Sequence, residues 1–340
     1  MDTPDVPAAE ATAPARKLSA STASQASRLF ILPAIIVGAC AFCLLVAGGL
    51  YALLQENQDP SKYIEQVVAG AGNRRWQAAY ELSRVIAAND GKVDDATASM
   101  LIDVFNRSVQ DDPLVRRYLT LALGRLHRPE SARALRAALV DQDTETRIYA
   151  LWGLGSHGDK ASAPAVAAAL GDGDSGVRKM AAYALGFLRD PGTSPALRQA
   201  LQDRTADVRW NAAVALARIG DASGADVLLQ MIDRTYLEGL CDENGDRVMD
   251  GERVREAMMT GVRGLVMIRE PRAKPRFQTL SESEPDLRVR DAAIKGLEEI
   301  RDGAQPAPAS PAAPAPLAAP AAPPPPEAPT APQAPEAEGT

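Results

Sequence analysis

The stretch "VRKMAAYALGFLRDPGTSPALRQAL", Val177 to Leu201, holds two apolar series at helical spacing with a polar, proline-bearing turn between them. Its first half recurs without gaps as "VRRYLTLALGRL" from Val115, "TRIYALWGLGSH" from Thr146 and "VRWNAAVALARI" from Val208, so that Arg116, Arg147, Arg178 and Arg209 are each 31 residues apart. Two outlying copies, "RRWQAAYELSRV" from Arg74 and "VREAMMTGVRGL" from Val254, fit with longer connectors, and "VRDAAIKGLEEI" from Val289 is a last copy without a second half. The pattern predicts six helix pairs and a closing helix. One pair cannot cover both of its apolar faces, so the pairs must stack into an all-α solenoid.

The turns carry the expected chemistry. Asp112 precedes Pro113 as an N-cap followed by proline at the first helical position, and Asp143 and Asp174 stand at the same place in the next two units. The second helix of each pair begins near Ser131, Ser162, Ser194 or Gly224; Leu135, Val166, Leu197 and Leu228, with Leu139, Leu170, Leu201 and Ile232, form its buried stripe. The repeated arginine, with an aspartate four residues before it in three units, reads as a structural network linking successive repeats. Gly124, Gly155 and Gly186 read as points of close helix approach, each at a propensity cost of about 1 kcal/mol.

The repeat resembles HEAT-like repeats of the phycobilisome-lyase type, whose pattern is close to "VR..AA.ALG.L.D......L..AL"; Val177 to Leu201 follows it nearly throughout. The resemblance covers residues 74–302. It implies a right-handed α-solenoid used for protein contacts, without implying lyase activity, since fold does not fix function. In such solenoids the second helix commonly lines the concave face. Its outward positions here, Arg133, Arg136, Arg198, Gln199, Asp226 and Gln230, are therefore expected to rim a groove for a protein partner, an extended peptide or an acidic segment.

Composition divides the rest of the chain. Residues 1–28 and 303–340 are Ala/Pro-rich tails, the second with 13 of the 26 prolines and no Lys or Arg; neither can bury enough apolar surface to offset ordering. Leu29 to Leu54 runs 26 residues without a charge and reads as a membrane span, followed by a juxtamembrane linker over 55–73. Arg16, Lys17 and Arg28 precede the span, whereas Glu56 and Asp59 follow it ahead of Lys62. The positive-inside rule then puts the N-terminus in the cytoplasm and the solenoid in the periplasm, on a bacterial inner membrane. A cytoplasmic, membrane-tethered adaptor and a lyase-like or chaperone-like partner subunit are the alternatives. A net charge of −7 and few aromatics exclude a nucleic-acid partner.

Little supports catalysis. His127 and His157 lie in the turns of neighbouring units, Cys241 has no histidine near it in sequence, and no Gly-rich phosphate loop is present. The remaining chemistry is an insertion. Arg209 and Arg255 are 46 residues apart, 15 more than the period, and the excess contains "CDENGDRVMDGE". Helix–acidic loop–helix over about 234–252 resembles an EF-hand-like calcium loop, with Asp242, Asn244 and Asp246 at alternate positions and Asp250 and Glu252 behind them. Arg247 stands where such loops place glycine, and Glu252 reaches the bidentate position only in a loop one residue short. A polar inter-repeat turn is the competing reading.

Overall fold

The computed structural model describes residues 37–49, 59–241 and 248–301. They divide into two units at Asp59. In the first, residues 37–49 form one helix, α1, whose residues are all exposed. No helix among the described residues is long and apolar enough to cross a membrane. Of the expected span, residues 29–36 and 50–54 lie outside the described residues, as do the tails 1–28 and 303–340.

The second unit is helical: α2 (Pro60–Ala69), α3 (Asn73–Ala88), α4 (Asp95–Arg107), α5 (Pro113–Leu123), α6 (Pro129–Ala137), α7 (Thr144–His157), α8 (Ala163–Ala168), α9 (Ser175–Leu188), α10 (Ser194–Ala200), α11 (Ala206–Ile219), α12 (Ala225–Met231), α13 (Arg234–Glu238), α14 (Gly251–Met267), α15 (Ala273–Ser283) and α16 (Leu287–Arg301). The first helices of the pairs are α3, α5, α7, α9, α11 and α14, hereafter A; the second are α4, α6, α8, α10, α12 and α15, hereafter B. Helix α2 packs on the first pair and buries Ile64 and Val67, and α16 packs on the last. The core between the layers is continuous from Ile64 to Ala293.

Side-chain caps start α5, α7 and α9. Asp112 accepts from the Leu114 amide, Asp143 from Thr146 and Asp174 from Val177. Helices α7 and α11 end in left-handed geometry, which Gly158 and Gly220 supply at φ 67° and 90° without steric cost. Arg189 holds the equivalent place at φ 48° and bears the strain of its Cβ.

The A helices approach one another through small residues. A Cβ on Gly124 would lie 2.5 Å from the Trp152 ring and 3.0 Å from the Gly153 Cα, and one on Gly186 would lie 3.2 Å from the Ala215 Cα. Ion pairs then bind each A helix to the following repeat. Arg116 pairs with Asp141, Arg147 with Asp172 at 3.0 Å and Arg178 with Asp203 at 2.7 Å. The partner is thus the aspartate six residues before the next arginine, not the one four before it. Asp112 and Asp174 serve as caps, and Asp143 adds to its cap a two-pronged bond from Arg117 at 2.7 and 2.8 Å. Each rung aspartate also accepts the amide two residues on: Asp143, Asp174 and Thr205 at 3.0, 2.9 and 2.8 Å.

Candidate protein-binding groove

The inserted residues change the packing where they enter. After α12, Asp233 caps the short helix α13, and the Val248 amide donates to the Leu240 carbonyl at 3.2 Å, tying the two ends of the loop together. Asp250 then caps α14 through the Arg253 amide at 2.8 Å. Helices α11 and α14 pack over a shorter contact than α9 and α11. A groove of about 1260 Å³ opens along α9, α11 and α14, with Leu240, Cys241 and Val248 of the insertion on its edge.

Its floor is apolar and aromatic: Met180, Tyr183, Trp210, Val214 and Met267. Its walls are cationic. Lys179 is paired with Asp207 at 3.4 Å, but Arg204, Arg209, Arg218, Arg253 and Arg263 have no carboxylate partner among the described residues. Arg218 lies with its guanidinium carbon 4.3 Å from the Phe187 ring centroid; burial lowers its pKa, as do nearby Arg189 and Arg263. Glu256 is the remaining acid in the lining. A second groove of about 560 Å³ between α14 and α16 shares Arg263 and Met267 with the first.

The six B-helix positions expected to rim a groove line neither of these. Arg136 donates to Asp159 at 3.2 Å and to Ser162 Oγ at 2.9 Å; Arg198 pairs with Asp221 at 2.7 Å. Each therefore ties its helix to the turn of the next repeat. Asp226 pairs with Arg272 at 2.7 Å. Arg133, Gln199 and Gln230 are exposed. Of the expected calcium ligands, Asp242, Asn244 and Asp246 lie outside the described residues. Asp250 is the α14 cap, and Glu252 pairs with Arg255 at 3.0 Å. Among the described residues no three His, Cys, Asp or Glu side chains gather as a metal site.

The two histidines meet in the turns, ring centroids 5.3 Å apart and tilted by 31°. His157 stands at the repeat position held elsewhere by Leu126, Leu188 and Ile219. Burial, reinforced by His127, pushes its pKa down to about 4, against the opposing pull of a hydrogen bond to Leu123 and the charge of Asp159. Unfolded, it would take a proton near 6.5; folded, it stays neutral to about 4. Its contribution is therefore complete above about pH 6.5 and is lost as pH falls, by about 1.4 kcal/mol per unit until about pH 4. His157→Leu is expected to flatten that part of the stability profile. Denaturant midpoints of parent and variant at pH 7 and pH 5 check it, and parallel profiles would remove His157 as the cause.

The stacked pairs and their inter-repeat rungs define a helical repeat solenoid with a side groove. Residues 98–238 match the family model described as HEAT repeats, in three overlapping copies at 98–176, 133–208 and 164–238. No curated protein matches the chain significantly. Among solved structures it is similar to the complex of CpcE and CpcF of phycocyanin lyase from Nostoc sp. PCC7120, at 18% identity and TM-score 0.45 over 72% of this chain and 88% of that one. It is also similar to the archaeal HEAT-like repeats protein from Thermococcus onnurineus NA1, at 13% identity and TM-score 0.44 over 72% and 97%.

Proposed function

We propose that the protein is a non-catalytic, membrane-anchored scaffold that binds an acidic, extended segment of a partner protein in the groove of α9, α11 and α14. The observation that carries this is the set of arginines without carboxylate partners among the described residues, together with an apolar, aromatic lining. Apolar floors bind, and unneutralised arginines select anionic side chains. Anchoring through residues 29–54 and a periplasmic solenoid rest on the uncharged run and its basic N-terminal flank. Alkaline phosphatase fused after Thr340 is expected to be active and a fluorescent protein there dark; the reverse would place the solenoid in the cytoplasm.

Site-specific photo-crosslinking in cells tests the groove itself. A benzoylphenylalanine at Asn211 or Thr260, both in the groove lining, is expected to capture the partner, and one at Gln199 or Gln230 on the B helices is not. Capture from the B positions alone would return the interface to the face first expected.

Calcium in the 242–252 loop belongs to the same proposal on its sequence pattern alone. With a dissociation constant about a tenth of the free ion concentration, calcium would add about 1.4 kcal/mol of stability. Thermal melts of the full-length protein in detergent, with millimolar calcium and with chelator, are expected to differ accordingly. Superimposable melts would leave the loop a polar turn.

A further inference from the structure

We propose that Arg209 and Trp210 form a subsite for one side-chain carboxylate, supplied by an acidic extended segment of a partner protein. This rests on the reading of the groove as a protein-binding site. The argument comes from the ladder of rungs. Arg178 illustrates a filled one: its Nη1 donates to the carbonyls of Asp172 and Gly173 at 3.0 and 3.1 Å, which fixes the plane of the guanidinium, and Nε and Nη2 grip Asp203 at 2.7 and 3.0 Å. Arg116 and Arg147 likewise meet an aspartate 25 residues on.

Arg209 is set in the same way, with its Nη1 on the carbonyls of Asp203 and Arg204 at 2.8 and 3.1 Å. Among the described residues it has no carboxylate partner. The residue 25 places on is Arg234, which is turned to Glu284 and, at 3.1 Å, to Glu238. The free edge of Arg209 reaches only the Tyr236 hydroxyl at 3.4 Å. Next to it in sequence, Trp210 is 8% exposed and its buried Nε1–H has no acceptor among the described residues. A buried donor without an acceptor is costly, and a fixed guanidinium fork matches a carboxylate with two parallel bonds. Both residues belong to the groove lining. The three filled rungs show that in this geometry the fold is completed by a carboxylate.

Two fluorescein-labelled peptides test the subsite by anisotropy with the full-length protein in detergent, one alternating Ala and Glu and the other Ala and Gln. The Glu peptide is expected to bind about tenfold more tightly, and Arg209→Gln to remove about that factor, whereas Arg204→Gln removes less than about threefold. Trp210→Phe, which deletes the N–H and keeps a ring, is expected to cost the Glu peptide a smaller factor without unfolding the repeat. In protein carrying 5-fluorotryptophan, the signal absent from Trp210→Phe is expected to shift with the Glu peptide and stay in place with the Gln peptide. Equal binding of the two peptides, or an Arg209→Gln variant that binds as the parent does, overturns the subsite. The groove reading would survive that result if Asn211 and Thr260 still crosslink a partner. Ending the chain after Arg301 is expected to leave peptide affinity unchanged. A gain of about tenfold would instead fill the rung with Glu327, Glu336 or Glu338 of the protein's own tail and overturn the assignment to a partner.

Discussion

Asp203→Ala is expected to destabilise the solenoid by about 3–5 kcal/mol, because it leaves a buried guanidinium without its counter-ion. The Arg178 side chain is 8% exposed and that of Asp203 13%, and hydrogen bonding from Arg178 is the largest cause holding the Asp203 carboxyl below its usual pKa. Removing both charges should cost far less. In Arg178→Met with Asp203→Asn, no charge is left buried and the asparagine can still accept from the Thr205 amide. Hydrogen exchange over α9 to α11 is the appropriate readout, since damage in a stack of repeats concentrates at the affected junction. A single variant as well protected as the parent would show that the rung contributes little.

Trp152→Ala is expected to cost a similar amount, about 3–5 kcal/mol. Its ring is wholly buried in a small cluster with Leu121 and Tyr149, separate from the main core, and Arg125 stacks on it with the guanidinium carbon 4.7 Å from the ring centroid. The ring also occupies the space a side chain at Gly124 would need. Gly124→Ala alone should overpack the site by about 1–3 kcal/mol. Combined with Trp152→Ala, the added methyl enters space the indole has left, so the pair should cost less than the sum of its parts. Strict additivity in denaturant melts of the four proteins would mean that the two residues do not share that space.

The repeat was legible in the sequence because its signals are local. Asp143 and Asp174 need to reach only their own first turns, so their positions follow from spacing alone. The partners of the long arginine side chains were not so legible. Arg178 reaches past its own cap to the following repeat, a contact that becomes visible in the sequence only when each arginine is compared with the residue 25 places on. The same comparison finds Arg234 where an aspartate is due after Arg209, and would have marked the groove. The charges of the B-helix arginines are also read differently once their partners are known. Arg136 and Arg198 have the composition of a binding rim, yet each lies 23 residues before an aspartate that takes its charge. In this chain a repeated arginine marks a joint between units, and the one without a carboxylate partner among the described residues lies at the groove.

That vacancy also sets where the stack can bend. From α5 to α11, successive A helices are bolted by charge pairs with little access to water and by backbone contacts through glycine and alanine, a stiff segment with no easy mode of deformation. Between α11 and α14 the described residues form no such pair and the contact is smaller, while Arg234 pairs with Glu284. Applied load is therefore expected to concentrate at that joint and to change the width of the groove. A ligand that bridges α11 and α14 is expected to stiffen the stack at that joint.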